Sequence, residues 1–206
     1  MVLTKKKITI FILSVAILTV VVLKFIQGAS SGIIDPVEAR AKGPEQAKVN
    51  IVEFIDFECP ACAYGAGKLK EYLAQYPGSI HVEVKYYPLL NMHKHALRVA
   101  SYVECVSRQG KFWPFFDSLM PAQGQWSELV NADGVFDQLA SSAGVNREKL
   151  RSCLSSEDVS TTIMNEKSLG RSLGVQSTPT YFINKKMVVG GKSLVEELDN
   201  YFPKSK

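Results

Sequence analysis

Two thiols three residues apart are the groups in this sequence best suited to chemistry. Cys59 and Cys62 form the motif Cys-Pro-Ala-Cys, which follows an apolar, β-branched run and precedes a segment of helical character. If Cys59 is the N-cap, Pro60 takes the first helical position, where its missing N–H costs nothing. The i, i+3 spacing then places both sulfurs on one helix face, close enough for a disulfide bond. The pattern predicts a redox-active dithiol.

A position at a helix N-terminus also favours the thiolate form of Cys59. Unpaired backbone N–H groups and the positive end of the helix dipole stabilise a negative charge there. An ordinary cysteine with a pKa of about 8.5 is about 3% thiolate at pH 7, whereas a pKa two units lower makes it mostly thiolate. Stabilising the thiolate stabilises the reduced protein, so the disulfide becomes a stronger oxidant.

Two strands and one helix are predicted around the dithiol. Residues 49–57 (VNIVEFIDF) have the composition of a buried strand, and a helix is expected over residues 60–75. A second strand is expected over residues 80–87, where strict alternation places one set of side chains on a single face: Ile80, Val82, Val84 and Tyr86. Because the connection is long enough for a helix, the two strands should be parallel with a right-handed crossover.

The rest of the chain divides into a helical block and a short β-β-α unit. Residues 93–173 show helical stretches and no strand pattern. Residues 180–183 and 187–189 then bracket Asn184-Lys185-Lys186 as a β-hairpin, and residues 193–201 form an amphipathic helix. The expected fold is of the α/β class, in the order β-α-β, helical insert, β-β-α.

The N-terminal residues 1–28 have the pattern of a membrane segment that is separate from the fold. An apolar run over residues 8–23 follows three lysines, and its length lies between that of a signal peptide and that of a spanning helix. Either residues 8–26 are an uncleaved signal anchor, or a signal peptide is cleaved near residue 28. Both alternatives export the chain beyond residue 28, because the lysines stay in the cytoplasm. Residues 29–47 are predicted to be a linker to a domain over residues 48–206.

Charge and cysteine usage exclude several classes of function. Four lysines and no acid in residues 1–28 account for the net charge of +4, which leaves 20 basic and 20 acidic residues without a basic run. Nucleic-acid binding is therefore not expected. No histidine lies at ligand spacing from any cysteine, so no zinc site is expected. No motif for a nucleotide, flavin or other cofactor is present.

The order of elements and the dithiol resemble the thioredoxin fold, and the helical insert resembles that of DsbA-like thiol:disulfide oxidoreductases. The likeness covers residues 48–203. Besides the dithiol, five motifs carry it: Val52-Glu53-Phe54, Val84-Lys85-Tyr86, His95-Ala96-Leu97-Arg98, Gln109-Gly110-Lys111-Phe112-Trp113 and Thr178-Pro179-Thr180.

The resemblance implies roles for the dithiol and for the Thr-Pro motif. Cys59 would be the exposed sulfur that attacks and is attacked, and Cys62 the buried sulfur that resolves a mixed disulfide. The Thr178-Pro179 bond would be cis and face the dithiol. The backbone of Thr178 would then pair with the substrate as an added strand does.

The resemblance also implies a buried acid at Glu53 and a basic residue at Lys85 on the neighbouring strand. A buried carboxylate is costly unless it is paired. We therefore expect Glu53 and Lys85 to pair beneath the dithiol and to relay a proton to or from Cys62, the alternative being an exposed pair at the sheet edge. Asp56 and Glu58 are expected to face solvent.

The remaining cysteines, Cys105 and Cys153, match a second cysteine pair in relatives. A structural disulfide between them would stabilise the fold by about 4 kcal/mol in the chain-entropy model. A redox-active pair and two free thiols are the alternatives.

These features imply an extracytoplasmic enzyme, at the cell surface or in the periplasm, that donates disulfides to cysteine-containing exported proteins. The resemblance further implies a monomer that is reoxidised by a DsbB-like or vitamin K epoxide reductase-like membrane partner. Two alternatives remain: a disulfide isomerase or reductase of the same fold, and a binding or assembly module without turnover. Thr178 before the proline is found in isomerase and reductase branches as well.

Overall fold

The computed structural model describes residues 36–203, so the predicted anchor or signal segment and the first part of the predicted linker lie outside the described residues. Among the helices between residues 36 and 203, none is both long enough and apolar enough to cross a bilayer.

Five strands form one mixed sheet in the order β1-β3-β2-β4-β5. Their bounds are Ala41–Lys42 (β1), Val49–Ile55 (β2), Ile80–Tyr86 (β3), Thr180–Ile183 (β4) and Lys186–Val189 (β5). β2 and β3 are parallel, as the sequence predicts, and the other neighbours are antiparallel. Asn184 and Lys185 make a two-residue hairpin turn, with φ of 45° and 75°. The α/β fold class is confirmed.

Helices connect the strands and make up the whole insert. Between β2 and β3 lies α2, and α9 comes after the hairpin, whereas α1 precedes the sheet and α3 to α8 make up the insert. Their bounds are Pro36–Ala39 (α1), Pro60–Gln75 (α2), Ala96–Ser107 (α3), Phe112–Leu119 (α4), Gln123–Trp126 (α5), Asp133–Ser142 (α6), Arg147–Leu154 (α7), Glu157–Ser172 (α8) and Gly191–Tyr201 (α9).

The predicted linker was too long, because residues 36–42 belong to the fold as α1 and β1. Arg40 is fully buried between these elements and anchors them. Its guanidinium donates to both carboxylate oxygens of Glu166 at 2.9 and 2.7 Å and to the Val84 carbonyl at 2.7 Å. It also lies 4.1 Å above the ring of Tyr86. The prediction failed because the partners of Arg40 lie far away in the sequence.

The two faces of β2 enter different parts of the core. Val49, Ile51 and Ile55 pack with α2 in the larger apolar cluster, whereas Phe54 packs with Tyr87 and Val175 on the other side of the sheet. Because side chains alternate along a strand, Glu53 shares the face of Ile51 and Ile55. Its carboxyl is therefore directed into the main core, beneath α2.

The insert carries a disulfide of its own, formed by the second pair of cysteines. Cys105 on α3 and Cys153 at the end of α7 are joined by an S–S bond of 2.02 Å, with Cα atoms 5.7 Å apart. Cys105 is fully buried. The bond ties the first helix of the insert to a helix 48 residues later in the chain.

Candidate active site

The dithiol lies at the start of α2, as its spacing predicts. Cys59 is the N-cap, in an extended conformation, and Pro60 occupies the first turn. The carbonyl of Cys59 accepts from the N–H of Cys62 at 3.0 Å and from that of Ala63 at 3.2 Å. Both cysteines are free thiols. Cys62 is fully buried, and Cys59, which was expected to be exposed, shows only 8% of its surface.

The two thiols differ sharply in acidity. A hydrogen bond from the Cys62 thiol lowers the pKa of Cys59 to about 6, and the backbone N–H groups of Cys62 and Ala61 and a contact with Thr178 add to this effect, against the opposing effect of burial. Burial, together with the hydrogen bond and the charge at Cys59, raises the pKa of Cys62 well above its usual range. Near neutral pH, Cys59 is therefore the nucleophile and Cys62 stays protonated.

A cis peptide bond between Thr178 and Pro179 sets the loop that faces the dithiol. The carbonyl of Thr178 lies 3.5 Å from Cys59 Sγ, and this loop covers the sulfur that was expected to be exposed. The carbonyl of Pro179 accepts from the N–H of Gly190 at 2.9 Å, which ties the loop to the end of the hairpin. The loop thus presents backbone groups directly beside the reactive sulfur.

Asp56 and Glu58, which were predicted to face solvent, are both buried. Asp56 Oδ1 accepts from the N–H of Glu58 at 2.8 Å, and Asp56 Oδ2 accepts from the N–H of Leu89 at 2.6 Å and contacts His93 Nδ1 at 2.9 Å. The carboxylate of Glu58 accepts from the N–H of His95 at 2.6 Å. Both acids are buried because they bind backbone N–H groups of the segment between β3 and α3.

Gln123 is a residue near the dithiol that the sequence did not single out. From α5 in the insert, its amide donates to the carbonyl of Phe57 at 2.8 Å and to that of Cys59 at 3.1 Å. It therefore connects the insert to the turn before α2. No motif signals this contact, because a lone glutamine in a short helix has no distinctive pattern.

The expected pair of Glu53 and Lys85 does not form. In the parallel register of β2 and β3, Glu53 lies beside Val84, and Lys85 lies beside Phe54. Alternation therefore places the two charges on opposite faces of the sheet. Lys85 instead binds Glu83 at 2.5 Å and lies 3.8 Å from Glu166. The partner that was predicted for Glu53 is wrong.

Glu53 is instead a fully buried carboxyl beneath α2. Burial raises its pKa to about 8, although an interaction with the hydroxyl of Tyr181 acts in the opposite direction. The charge at Glu53 contributes to the raised pKa of Cys62, so the two groups are close enough to influence each other. At pH 7, Glu53 is mostly a neutral acid.

A cavity of about 260 Å³ leads from Glu53 to the surface between α2 and α4. Its walls include Leu69 and Phe116, and the exposed side chain of Lys70 lies at its mouth, 3.2 Å from Asp117. Glu53 is among its lining residues, and neither Cys59 nor Cys62 is.

The geometry provides a thiolate, a protonated resolving thiol and an adjacent acid. Between residues 36 and 203, no group of three or more histidine, cysteine, aspartate or glutamate side chains is arranged to hold a metal ion. The arrangement suits thiol–disulfide exchange through a mixed disulfide, in which one sulfur is attacked while the other takes up or releases a proton.

The chain resembles known proteins over most of its length. The family model described as thioredoxin matches residues 36–201. Among curated relatives, a Na⁺/H⁺ antiporter, NhaA 3 of Salinispora tropica, is 31% identical over 163 residues, which are 76% of this chain and 24% of the antiporter. The chain thus spans about a quarter of the length of the curated relatives that it matches.

Solved structures show the same fold. BdbD from Bacillus subtilis superposes with a TM-score of 0.67 at 21% identity, over 78% of this chain and 91% of BdbD. α-DsbA1 from Wolbachia pipientis superposes with a TM-score of 0.66 at 21% identity, over 80% and 89% of the two chains. With a family model that spans the domain and a dithiol at the start of α2, the chain belongs to the thioredoxin family and has the DsbA-like form of its fold.

Proposed function

We propose that this protein is a thiol:disulfide oxidoreductase that donates the Cys59–Cys62 disulfide to cysteines of exported proteins. The observation that carries the proposal is the unequal acidity of the two thiols beside a neutral acid. Cys59 has a pKa lowered to about 6, whereas Cys62 stays protonated and lies near Glu53, whose pKa is raised to about 8.

Donation takes place in two exchange steps. A substrate thiolate attacks Cys59 Sγ of the oxidised protein, the Cys59–Cys62 bond breaks, and Cys62 leaves as a thiolate that takes up a proton. A second thiolate of the substrate then attacks the substrate sulfur bound to Cys59. The substrate disulfide forms, and Cys59 leaves as a thiolate stabilised at the N-terminus of α2. The protein is reduced by two electrons, and the substrate is oxidised by two.

Glu53 is suited to protonate Cys62 in the first step. A mostly neutral carboxyl is a proton donor at pH 7, and its raised pKa follows from its burial. The cavity between α2 and α4 would allow Glu53 to recover a proton from solvent. Lys85 has no part in this relay, because it lies on the other face of the sheet.

Substrate would bind at the cis loop beside the reactive sulfur. The carbonyl of Thr178 lies next to Cys59 Sγ, so an extended substrate strand along Thr178-Pro179 would bring its own cysteine to Cys59. Backbone pairing of this kind accepts many side chains, which suits a protein that acts on varied clients.

The proposed location is outside the cytoplasm. The distal Cys105–Cys153 disulfide suits an oxidising compartment. The lysines and the apolar run of residues 1–28 predict export, by a signal anchor or a cleaved signal peptide. A membrane partner of the DsbB-like or vitamin K epoxide reductase-like kind would restore the disulfide.

The direction of the reaction is tested by refolding two forms of ribonuclease. We expect the oxidised protein to reactivate reduced ribonuclease and to act poorly on scrambled ribonuclease. Preferential rescue of the scrambled form would identify an isomerase, and no effect on either would identify a module without turnover. Either result refutes disulfide donation.

A trapping experiment tests the intermediate. The Cys62→Ala variant should accumulate mixed disulfides with client proteins, because the resolving thiol is absent. The Cys59→Ala variant is the matched control and should accumulate none.

A further inference from the structure

Tyr181 on β4 is a polar residue that the strand register places beside the buried acid. In the antiparallel pairing of β2 and β4, Glu53 lies directly opposite Tyr181. Both residues are fully buried. Within the part of the chain that the structure describes, neither the carboxylate oxygens of Glu53 nor the hydroxyl of Tyr181 makes a hydrogen bond of regular geometry. Each is therefore a buried polar group with the other as its neighbour across the sheet.

Gly65 shows how closely the Tyr181 hydroxyl approaches the active-site helix. A Cβ atom at Gly65 would lie 2.1 Å from Tyr181 Oη, a distance that atoms do not tolerate. Gly65 is one turn beyond Cys62 on α2, in a position where glycine costs about 1 kcal/mol relative to alanine. The tyrosine hydroxyl therefore occupies the space that a side chain at this position of α2 would fill.

We propose that Tyr181 is a positioning residue whose hydroxyl donates to ionised Glu53 and so sets the pH at which Glu53 exchanges a proton with Cys62. This inference rests on the proposed relay from Glu53. A buried carboxylate without a donor is strongly disfavoured, and a hydrogen bond to a charged group is stronger than one between neutral groups. Tyr181, on β4, would supply the donor that had been expected from Lys85 on β3.

The other ionisable groups around Glu53 belong to the dithiol or line the cavity. The dithiol cysteines, Cys59 and Cys62, lie at the start of α2. The residues at the cavity mouth are Lys42 on β1, Lys70 on α2 and Asp117 on α4. The lysines at the mouth are solvent-exposed, so water screens their charges. The Tyr181 hydroxyl is the buried donor on the strand that pairs with Glu53.

The step that depends on ionised Glu53 is the closing of the dithiol. In a mixed disulfide at Cys59, the Cys62 thiol gives its proton to Glu53, and Cys62 Sγ attacks Cys59 Sγ. The Cys59–Cys62 bond forms, the bond from Cys59 to the bound thiol breaks, and that thiol leaves as a thiolate. A higher pKa of Glu53 would slow this step at every pH below that pKa, because less carboxylate is available to accept the proton.

Ellman's reagent separates this step from the first attack. With the Cys105–Cys153 disulfide intact, Cys59 of the reduced dithiol attacks the reagent and releases one thionitrobenzoate. Cys62 then closes the disulfide and releases a second. The first phase reports the thiolate at Cys59, and its pH midpoint near 6 tests the proposed function. The second phase reports proton transfer from Cys62 to Glu53 and tests the present inference.

The decisive variant is Tyr181→Phe, which removes one oxygen and keeps the ring. We expect its second phase to be slower by about tenfold or more at pH 7 and its pH midpoint to rise by at least about one unit, as the loss of a hydrogen bond to a charged group requires. The first phase should be unchanged. Tyr87→Phe is the matched control, because it removes a buried hydroxyl that donates to the Val175 carbonyl on the other face of the sheet.

The double variant tests whether Tyr181 acts through Glu53. In a Glu53→Gln background, adding Tyr181→Phe should change neither the rate nor the pH dependence of the second phase. A second phase in Tyr181→Phe with the wild-type midpoint would overturn the inference, and so would a shift that persists without the carboxylate. A first phase of the wild-type protein without a pH midpoint near 6 would instead refute the proposed function. The phase that deviates therefore shows which of the two proposals has failed.

Discussion

Glu53→Gln is expected to stabilise the protein in alkaline solution. The carboxyl is fully buried, and its pKa rises from an ordinary value of 4.5 to about 8. At 1.36 kcal/mol for each pKa unit, ionised Glu53 costs the fold about 5 kcal/mol, and its neutral form avoids this cost. Glutamine has nearly the shape of the neutral acid and does not ionise.

The pH window is set by the two pKa values. Between pH 4.5 and about 8 the folded protein holds a proton at Glu53 that the unfolded chain has lost. The free energy of unfolding therefore falls as pH rises through this window, and the loss is complete above pH 8. The Glu53→Gln variant should be within about 1 kcal/mol of the parent protein at pH 4 and more stable by several kcal/mol at pH 9.

Urea denaturation at a series of pH values measures this difference. A parent protein with Cys59 and Cys62 both replaced by alanine removes the titration of the dithiol and needs no reductant, so the distal disulfide stays intact. Glu104→Gln is a control of opposite sign, because the buried carboxylate of Glu104 accepts from Tyr86 Oη and binds Arg108, and its loss should destabilise the protein. If the free energy of unfolding depends on pH in the same way in the parent and in Glu53→Gln, the assignment of a raised pKa to Glu53 is refuted.

Three further changes test the packing that surrounds the site, each by chemical denaturation. Gly65→Ala should destabilise the protein by about 1–3 kcal/mol through overpacking. It should be tolerated together with Tyr181→Phe, because the ring carbon Cζ lies 3.4 Å from the new methyl group; equal costs in both backgrounds would contradict the close approach. Arg40→Met should cost about 3–5 kcal/mol, since it leaves the buried carboxylate of Glu166 without its guanidinium, and a loss below 1 kcal/mol would show that α1 and β1 are not anchored in this way. Replacing both cysteines of the distal disulfide by alanine should cost about 4 kcal/mol and leave the pH midpoint of Cys59 alkylation near 6; a shifted midpoint would indicate a redox role for that pair.

The features that the sequence predicted correctly depend on local rules. Pro60 after a cysteine at the end of a strand specifies a helix start, and the structure begins α2 there. The hairpin was predicted from two short strands of β-branched and aromatic residues, although Lys186, expected in the turn, belongs to β5. The cis bond before Pro179 was predicted from family resemblance. Apart from the cis bond, each of these features is determined by residues that are neighbours in the chain.

Strand alternation alone argues against Lys85 as the partner of Glu53. The alternation that places Val84 and Tyr86 in the core also places Lys85 on the other face of β3. Glu53 belongs to the same inward set as Ile51, so the strand pattern itself argues against the pair. Family resemblance gave the positions of the two residues, but strand parity decides which of them can meet.

The burial of Asp56, Glu58 and Arg40 was not predictable from pattern alone. Apart from the N–H of Glu58, which binds Asp56, the side-chain partners described above lie 33 to 126 positions away in the sequence. From sequence alone, two acidic residues next to a dithiol are expected to face solvent. A lone arginine in a polar stretch is expected to belong to a linker. Each is buried because distant backbone N–H groups or a distant carboxylate satisfy its charge, and such pairing depends on the tertiary fold.

The two perturbed pKa values give Glu53 a defined part in each half of the exchange near neutral pH. Cys59 ionises above pH 6, and Glu53 stays mostly neutral below pH 8. When a substrate thiolate opens the Cys59–Cys62 disulfide in this window, the departing sulfur meets an acid that already holds a proton. When Cys62 closes the disulfide again, Glu53 must first lose that proton, and at pH 7 only about a tenth of the molecules have done so. Opening and closing of the disulfide therefore use the two protonation states of one carboxyl, and the hydrogen bond proposed from Tyr181 would set the pH at which one state gives way to the other.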